Sequence, residues 1–232
     1  MSVFSSRERM VPGLGRGLGW VLVGLLSAGG ADAAADTQDW YATGSLGFTT
    51  QSDQNLTYTG PGVGGEVSRK LPLDNGFLAG GAIGRHLDEV WRVEAEFMYQ
   101  SVDHPRFTLG AGGPSGDGNY ASTSIALNLV REFDLLGSPH TRTYVGVGAV
   151  YATEVDVDFE SNGVERSFSG SDGGVQLLFG ARYSLGERSF VDAGVRYLLV
   201  SGVDLEEEQN GTGRIKADYE PIAVTVAFGW RF

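Results

Sequence analysis

The sequence predicts an all-β fold, an eight-stranded antiparallel transmembrane β-barrel with short turns at one end and long loops at the other. Three observations predict it: apolar and polar residues alternate in eight segments, long and short connections alternate along the chain, and no long apolar run follows residue 35. Mean hydropathy is near zero, at -0.09, as expected when membrane-facing and lumen-facing residues alternate. A helical membrane protein is therefore excluded.

The N-terminal segment, residues 1–35, has the order of a secretory signal peptide. Three arginines precede a mostly apolar run at residues 18–26, and small residues follow. The apolar run is interrupted by glycine and falls short of the roughly 20 residues that a membrane anchor needs. We therefore expect export and cleavage after Ala33 or Ala35, which leaves residues 36–232 as the barrel domain.

Composition excludes several classes of function. The 232 residues suffice for one barrel and leave no room for a two-domain enzyme. The formal net charge is -12 at pH 7, and such a surface repels phosphate backbones, so nucleic acid is not an expected partner. The sequence has no Cys, which excludes disulfides, thiolate metal sites and Cys nucleophiles. We expect no cofactor and no bound metal.

Two segments show the period of two most clearly. In residues 91–100 the odd positions are apolar and the even positions are largely charged or polar. In residues 222–232 the even positions carry large apolar side chains, and the odd positions carry small or polar ones. Each segment is about long enough to cross a bilayer as a tilted strand.

The other six strands show the alternation less clearly, and we place them at 40–49, 77–85, 122–133, 144–151, 175–183 and 190–199. The connections supply a second pattern. Four are long and rich in Gly, Ser, Asp and Asn, at 50–75, 101–120, 152–173 and 200–218, and three are short, at 86–90, 134–141 and 184–188. The alternative fold is a soluble β-sandwich, which has no need of long loops at one end only. The connections therefore favour the barrel.

Three stretches carry a resemblance to a known family: residues 71–77 (LPLDNGF), 80–84 (GGAIG) and 91–97 (WRVEAEF). They resemble the small bacterial outer-membrane β-barrel family that includes opacity-type adhesins and the transmembrane domain of OmpA. The resemblance implies an outer-membrane location, with the short turns in the periplasm. It also implies outer-membrane lipids and lipopolysaccharide as partners, and an extracellular ligand for the loops as a further candidate partner.

The C-terminal residues look like the signal by which such barrels are recognised by the outer-membrane assembly machinery. Phe228, Trp230 and Phe232 place aromatic side chains at alternate positions, with Phe last. Ala227 stands where this signal usually has Gly. The likeness implies the assembly machinery and periplasmic chaperones as further partners.

Charged residues on the predicted inner faces form the main candidate site. Charges within a membrane are costly unless they are paired or hydrated, and an eight-stranded barrel is only wide enough for side chains to fill it. We therefore predict ion pairs that close the lumen, formed by Arg92, Glu94, Glu96, Arg182, Asp192, Arg196 and Arg231. The alternative is a narrow channel for ions or small solutes lined by the same residues, which requires a continuous aqueous passage.

Two other groups have a less specific pattern. Asp156, Asp158 and Glu160 alternate along one predicted strand face, but they lack the loop geometry of a calcium site, so we interpret them as solvated. Ser101, Asp103 and His104 are the one candidate for catalysis. Closeness in sequence is not the spatial arrangement of a nucleophile, a base and an orienting group, so we predict no enzyme.

Aromatic residues near the strand ends are expected to form two interfacial girdles, made of Trp40, Tyr41, Trp91, Tyr99, Tyr183, Tyr197 and Trp230. Taken together, the patterns predict a barrel with a structural or surface-interaction, adhesin-like role. The channel is the main alternative, and a lipid-modifying enzyme is less favoured.

Overall fold

The computed structural model describes residues 40–161, 164–208 and 211–232; the predicted signal peptide at 1–35 lies outside them. In these residues no helix is long and apolar enough to span a membrane. The strands are β1 (Trp40–Gln51), β2 (Gln54–Thr59), β3 (Glu66–Leu71), β4 (Asn75–His86), β5 (Trp91–Thr108), β6 (Ser115–Phe133), β7 (Thr141–Ser161), β8 (Val164–Ser184), β9 (Ser189–Glu207), β10 (Arg214–Tyr219) and β11 (Pro221–Arg231).

Eight of these strands close into a ring, which confirms the predicted barrel. The order is β11, β1, β4, β5, β6, β7, β8 and β9, and β9 pairs with β11 to complete the circle. Every pairing in the ring is antiparallel. Closure satisfies the backbone hydrogen bonds between strands and leaves no free edge in the ring, as a membrane-spanning sheet requires.

The outer face of the ring is apolar. Leu46 and Phe48 are 69% and 79% exposed, and Leu127 on the other side is 61% exposed. The same face of β5 carries Phe97, whereas Arg92 on its other face is buried. One predicted girdle residue is wrong: Tyr41 is fully buried inside the ring, because it lies one position out of phase with the exposed Trp40.

The regions predicted as long loops contain regular β-structure, which corrects that prediction. Strands β5 to β9 continue beyond the ring, and β10, β2 and β3 pair in succession beside β9. These three strands therefore take the places that β11, β1 and β4 hold in the ring. We call β2, β3 and β10, with the ends of β5 to β9 that rise around them, the upper tier.

The upper tier has an apolar core of its own. Its buried members come from every strand of the tier except β5, which contributes the partly buried Phe107; they include Leu56, Tyr58, Leu71, Tyr120, Val155, Val157, Phe159, Phe168, Val203, Leu205, Ile215 and Tyr219. The polarity of the tier is thus opposite to that of the ring, with apolar side chains inside and polar ones outside. Burial of this apolar surface explains why long segments between the predicted strands fold as sheet.

Glycines on neighbouring strands make room for three aromatic rings inside the ring of strands. A Cβ atom at Gly84 would overlap the ring of Tyr41, and one at Gly229 would overlap Phe190. Tyr144 lies across Gly180 and Gly194 in the same way. The small residues of the predicted inner faces therefore provide the space in which the side chains of the site pack.

Candidate functional site: the filled lumen

Arg92 on β5 is at the centre of a buried ionic layer near the end with the short turns. Its Nε atom lies 3.0 Å from Oε1 of Glu94, and its Nη1 atom pairs with Glu132 on β6. Its Nη2 atom is 3.9 Å from Oδ2 of Asp192 on β9. The Arg92 side chain is 2% exposed, so these carboxylates replace the water that would otherwise solvate it.

Arg182 on β8 lies in the same layer and shares the same carboxylates. Its Nε atom donates a 3.1 Å hydrogen bond to Oδ2 of Asp192, and its Nη2 atom lies 3.6 Å from Oε1 of Glu94. The guanidinium carbon is 3.9 Å from the ring centre of Phe190 and 4.6 Å from that of Tyr41. Aromatic faces suit the planar, weakly hydrated guanidinium and complete its surroundings.

Two tyrosines add hydrogen bonds to the carboxylates of the layer. The Tyr41 hydroxyl donates to Oε1 of Glu94 at 2.5 Å, and the Tyr144 hydroxyl donates to Oδ1 of Asp192 at 2.6 Å. Glu94 and Asp192 therefore each accept from a neutral donor as well as from an arginine. Such connected networks are more favourable than isolated buried charges, because the remaining lone pairs are also satisfied.

A second ion pair joins Glu96 on β5 to Arg196 on β9. Arg196 donates through Nη1 at 2.5 Å and through Nη2 at 2.9 Å to the two oxygens of Glu96. Two amides support the carboxylate: Gln176 lies 3.3 Å and Asn128 3.5 Å from it. Gln176 also donates to Oδ1 of Asn128 at 2.6 Å, so the pair belongs to a four-residue polar network.

Six of the seven charged residues singled out in the sequence lie together in these two groups: Arg92, Glu94, Glu96, Arg182, Asp192 and Arg196. Arg231 does not join them, and in the described part of the chain it forms no ion pair. It lies at the rim, where its guanidinium is 5.0 Å from the Phe190 ring centre and donates to Ser184 Oγ and the Glu187 carbonyl at 3.3 Å.

Five members of the networks were not predicted from the sequence: Tyr41, Asn128, Glu132, Tyr144 and Gln176. The alternation contained the signal for most of them. Glu132 has the same parity as Asn128, and Tyr144 has the same parity as the small inward-facing residues of β7. Extending each alternation to the end of its strand would have placed both in the lumen.

The lumen is unevenly filled at the level of the ionic layer. Apart from Tyr41 on β1, the large polar side chains come from β5 to β9, whereas β1, β4 and β11 contribute mainly small residues. A cavity of about 50 Å³ remains along this wall, lined in part by Thr43, Ser45, Gly81, Ala82, Thr225 and Ala227. Towards the upper tier a further cavity measures about 10 Å³, room for about one water molecule.

The candidate catalytic residues are not assembled into a site. His104 is buried, with Nε2 2.8 Å from the Asp158 carbonyl and Nδ1 3.1 Å from the Pro105 carbonyl. Its ring packs against Phe159, with 5.2 Å between ring centres. Asp103 is exposed, because adjacent strand residues point to opposite faces. His104 therefore ties β5 to β7 within the upper tier.

The three alternating carboxylates lie on the outer face of β7 in the upper tier. Partial burial, together with the nearby charges of Asp158, Glu154 and Glu208, raises the pKa of Asp156 to about 7. In the residues that the structure describes, no group of three or more His, Asp or Glu side chains has an arrangement that could hold a metal ion. The three C-terminal aromatics, Phe228, Trp230 and Phe232, are about half exposed.

A closed ring of eight strands, an apolar outer face and a charged inner face define a small transmembrane β-barrel of the bacterial outer membrane. Residues 20–232 match the family model described as "Outer membrane protein beta-barrel domain", and the chain belongs to that family. No curated protein matches the chain. The membrane location follows from the family, and the end with the short turns is assigned to the periplasm.

Three solved structures are similar to this chain. The outer membrane protein OprG from Pseudomonas aeruginosa is 18% identical, with a TM-score of 0.59, covering 84% of this chain and 97% of OprG. Neisserial surface protein A is 15% identical, with a TM-score of 0.44, over 83% of this chain and 97% of that one. Ail of Yersinia pestis is 15% identical, with a TM-score of 0.39, over 82% and 99%. At these identities the likeness to OprG supports the fold alone.

Proposed function

We propose that the protein is an outer-membrane barrel with a closed lumen, which acts through its upper tier in a structural or surface-interaction, adhesin-like role. The observation that carries this proposal is the apolar core of the upper tier. Val157, Phe168, Leu205 and Tyr219 are fully buried there, inside the cylinder that a solute entering from outside the cell would have to pass.

The ionic layer and the Glu96–Arg196 pair support closure from the periplasmic side. Arg92, Arg182 and Arg196 are held by carboxylates on other strands, so their side chains are fixed across the lumen. Movement of an arginine away from its carboxylate would leave an uncompensated buried charge, so it is unfavourable for these side chains to open a passage by moving apart. The lumen would thus be closed at two levels by different means: by paired charges in the ring and by apolar packing in the upper tier.

The mouth of the upper tier carries a polar clasp formed by Tyr58, Arg166 and Glu207. Arg166 Nε donates to Glu207 at 2.6 Å, and its Nη2 atom donates to the Tyr58 hydroxyl at 3.0 Å. Glu207 also accepts a 2.9 Å hydrogen bond from the Gly213 backbone. The clasp connects β2, β8 and β9, so the surface offered to a partner is a supported sheet rather than a set of free loops.

The proposed partners follow the same geometry. The apolar outer face of the ring would contact outer-membrane lipids. Lipopolysaccharide of the outer leaflet would contact the base of the upper tier, and the upper tier itself would bind an extracellular ligand. The exposed side chains of Phe228, Trp230 and Phe232 would serve recognition by the assembly machinery and periplasmic chaperones before insertion.

Planar-bilayer recording tests the closed lumen. We expect the wild type to insert without regular conductance steps. The double variant E96Q/R196Q removes one ion pair but keeps the apolar core, so it should be silent as well. Reproducible open steps of the wild type would overturn the proposal. Steps in the variant alone would assign closure to the Glu96–Arg196 pair instead of the apolar core.

A narrow channel is the second candidate, and the cavity of about 50 Å³ beside β1, β4 and β11 favours it. This cavity would need to connect through the upper tier before ions could pass. A role as a lipid-modifying enzyme is not proposed, because the His104 ring nitrogens face backbone carbonyls rather than a nucleophile.

A further inference from the structure

Two arginines lie against two tryptophans on the outer surface at the periplasmic end of the barrel. The guanidinium carbon of Arg85 is 5.5 Å from the ring centre of Trp40. That of Arg131 is 5.4 Å from the ring centre of Trp91 and 5.2 Å from that of Phe133. Both arginine side chains are exposed. An aromatic face restrains each long side chain while its N–H groups stay free to donate.

Strand register makes these residues one continuous patch. Trp40 on β1 is directly opposite Arg85 on β4, and Trp91 on β5 is directly opposite Arg131 on β6. Since β4 and β5 are neighbours in the ring, the two pairs lie side by side on the outer face. We call these four residues the Arg–Trp patch. Tryptophans at this position mark the level of the lipid headgroups.

The arginines of the Arg–Trp patch differ from three exposed cations of the upper tier that are paired with carboxylates. Lys70, Arg106 and Arg214 each lie within 4.0 Å of a carboxylate. In the described residues, Arg85 and Arg131 have no carboxylate within that distance. The carboxylate of Asp88, in the adjoining turn, accepts hydrogen bonds from the backbone of Val90 and Trp91 at 2.8 and 2.7 Å. It therefore holds the turn in place.

We propose that the Arg–Trp patch binds the headgroup of an anionic phospholipid in the periplasmic leaflet. A guanidinium donates two parallel hydrogen bonds to phosphate oxygens, and arginine is suited to this geometry. The patch is cationic on a chain with a formal net charge of -12, so its charge is local and opposite to that of the ligand. The inference is independent of whether the lumen is closed.

Quenching by brominated lipids tests the site, because bromine in the acyl chains reports which lipids lie beside the tryptophans. Two of the three tryptophans in the described residues belong to the Arg–Trp patch, and the third is Trp230. The full barrel is placed in phosphatidylcholine bilayers that contain brominated phosphatidylglycerol or, in parallel, brominated phosphatidylcholine. We expect a preference of about fivefold for phosphatidylglycerol, which falls in 0.5 M salt.

The double variant R85Q/R131Q should lose this preference, with the ratio falling to about one. Arg188→Gln is the matched control, because Arg188 is an exposed arginine in the periplasmic turn between β8 and β9 and lies outside the patch. It should keep the wild-type ratio. Heat-modifiable migration on gels shows that each variant is folded. Equal ratios for the two lipids in the wild type would overturn the proposal, as would an equal loss in Arg188→Gln.

Discussion

The Arg196 guanidinium and the Glu96 carboxylate meet across the full width of the lumen, through two hydrogen bonds of 2.5 and 2.9 Å. Their strands, β9 and β5, are four places apart in a ring of eight and therefore face each other. The residues are 100 positions apart in the sequence. This contact depends on closure of the ring, because an open sheet would hold β5 and β9 apart.

Glu96→Gln should destabilise the barrel strongly. The variant leaves the buried Arg196 without its carboxylate, and loss of one partner of such a pair costs about 3–5 kcal/mol. Urea unfolding in lipid vesicles measures the change. Glu206→Gln is the control, because it breaks the exposed pair with Arg214 and should cost less than about 1 kcal/mol. Equal losses of unfolding free energy in the two variants would show that the Glu96–Arg196 pair contributes no more to stability than an exposed pair.

Gly84→Ala should also destabilise the protein, through overlap with the Tyr41 ring. Overpacking of this kind typically costs about 1–3 kcal/mol. Gly44→Ala on β1 is a matched control, since a Cβ at Gly44 meets no atom within 4 Å. Urea unfolding in lipid vesicles compares the two variants. An unchanged free energy of unfolding in Gly84→Ala would show that Tyr41 does not pack as described.

The stability of the upper tier should depend on pH through Asp156. Its folded pKa, about 7, lies above the ordinary value of 3.8, because burial and neighbouring carboxylates disfavour the ionised form. The folded state therefore binds the proton more tightly than the unfolded state, and stability rises as pH falls from about 7 towards 4. Unfolding followed across this range should show a smaller slope for Asp156→Asn, and an unchanged slope would refute the assignment.

Arg166→Gln should loosen the mouth of the upper tier. The substitution removes the donors to Glu207 and Tyr58, so β2 and the chain near Gly213 lose their connection to β8. Limited proteolysis of intact cells should then cleave the tier faster. Arg214→Gln removes an arginine from an exposed pair with Glu206 and should leave the cleavage rate near that of the wild type. Similar acceleration in both variants would argue against the clasp.

The ring could be predicted from the sequence because its signal is local. In β5 the alternation from Trp91 to Gln100 separates a lipid face from a lumen face, and the structure follows it. The positions of Arg92 and Glu94 follow from parity alone. Their partners could not be predicted in this way, because pairing with Glu132 or Asp192 depends on how far each side chain reaches across the closed cylinder.

The upper tier was missed because its alternation is inverted. In β7, Val147 and Tyr151 face outwards at odd positions, yet Val155 and Val157 face inwards, also at odd positions. The strand register shifts between Ala152 and Val155, where a β-bulge leaves two successive residues exposed. The inversion is physical: lipid surrounds the ring, whereas water surrounds the tier, so apolar side chains turn inwards above the bulge.

This bulge constrains how the gene could be shortened. Deleting either Thr153 or Glu154 would only remove the bulge, because Val155 and Val157 would still face inwards. Deleting Asp156 alone, above the bulge, would instead reverse the facing of every later side chain in the strand, and would direct Asp158 into the apolar interior while Val157 met solvent. A two-residue deletion above the bulge would preserve the facing. We therefore expect insertions and deletions among natural variants of this strand, between the bulge and the tip, to occur in even numbers.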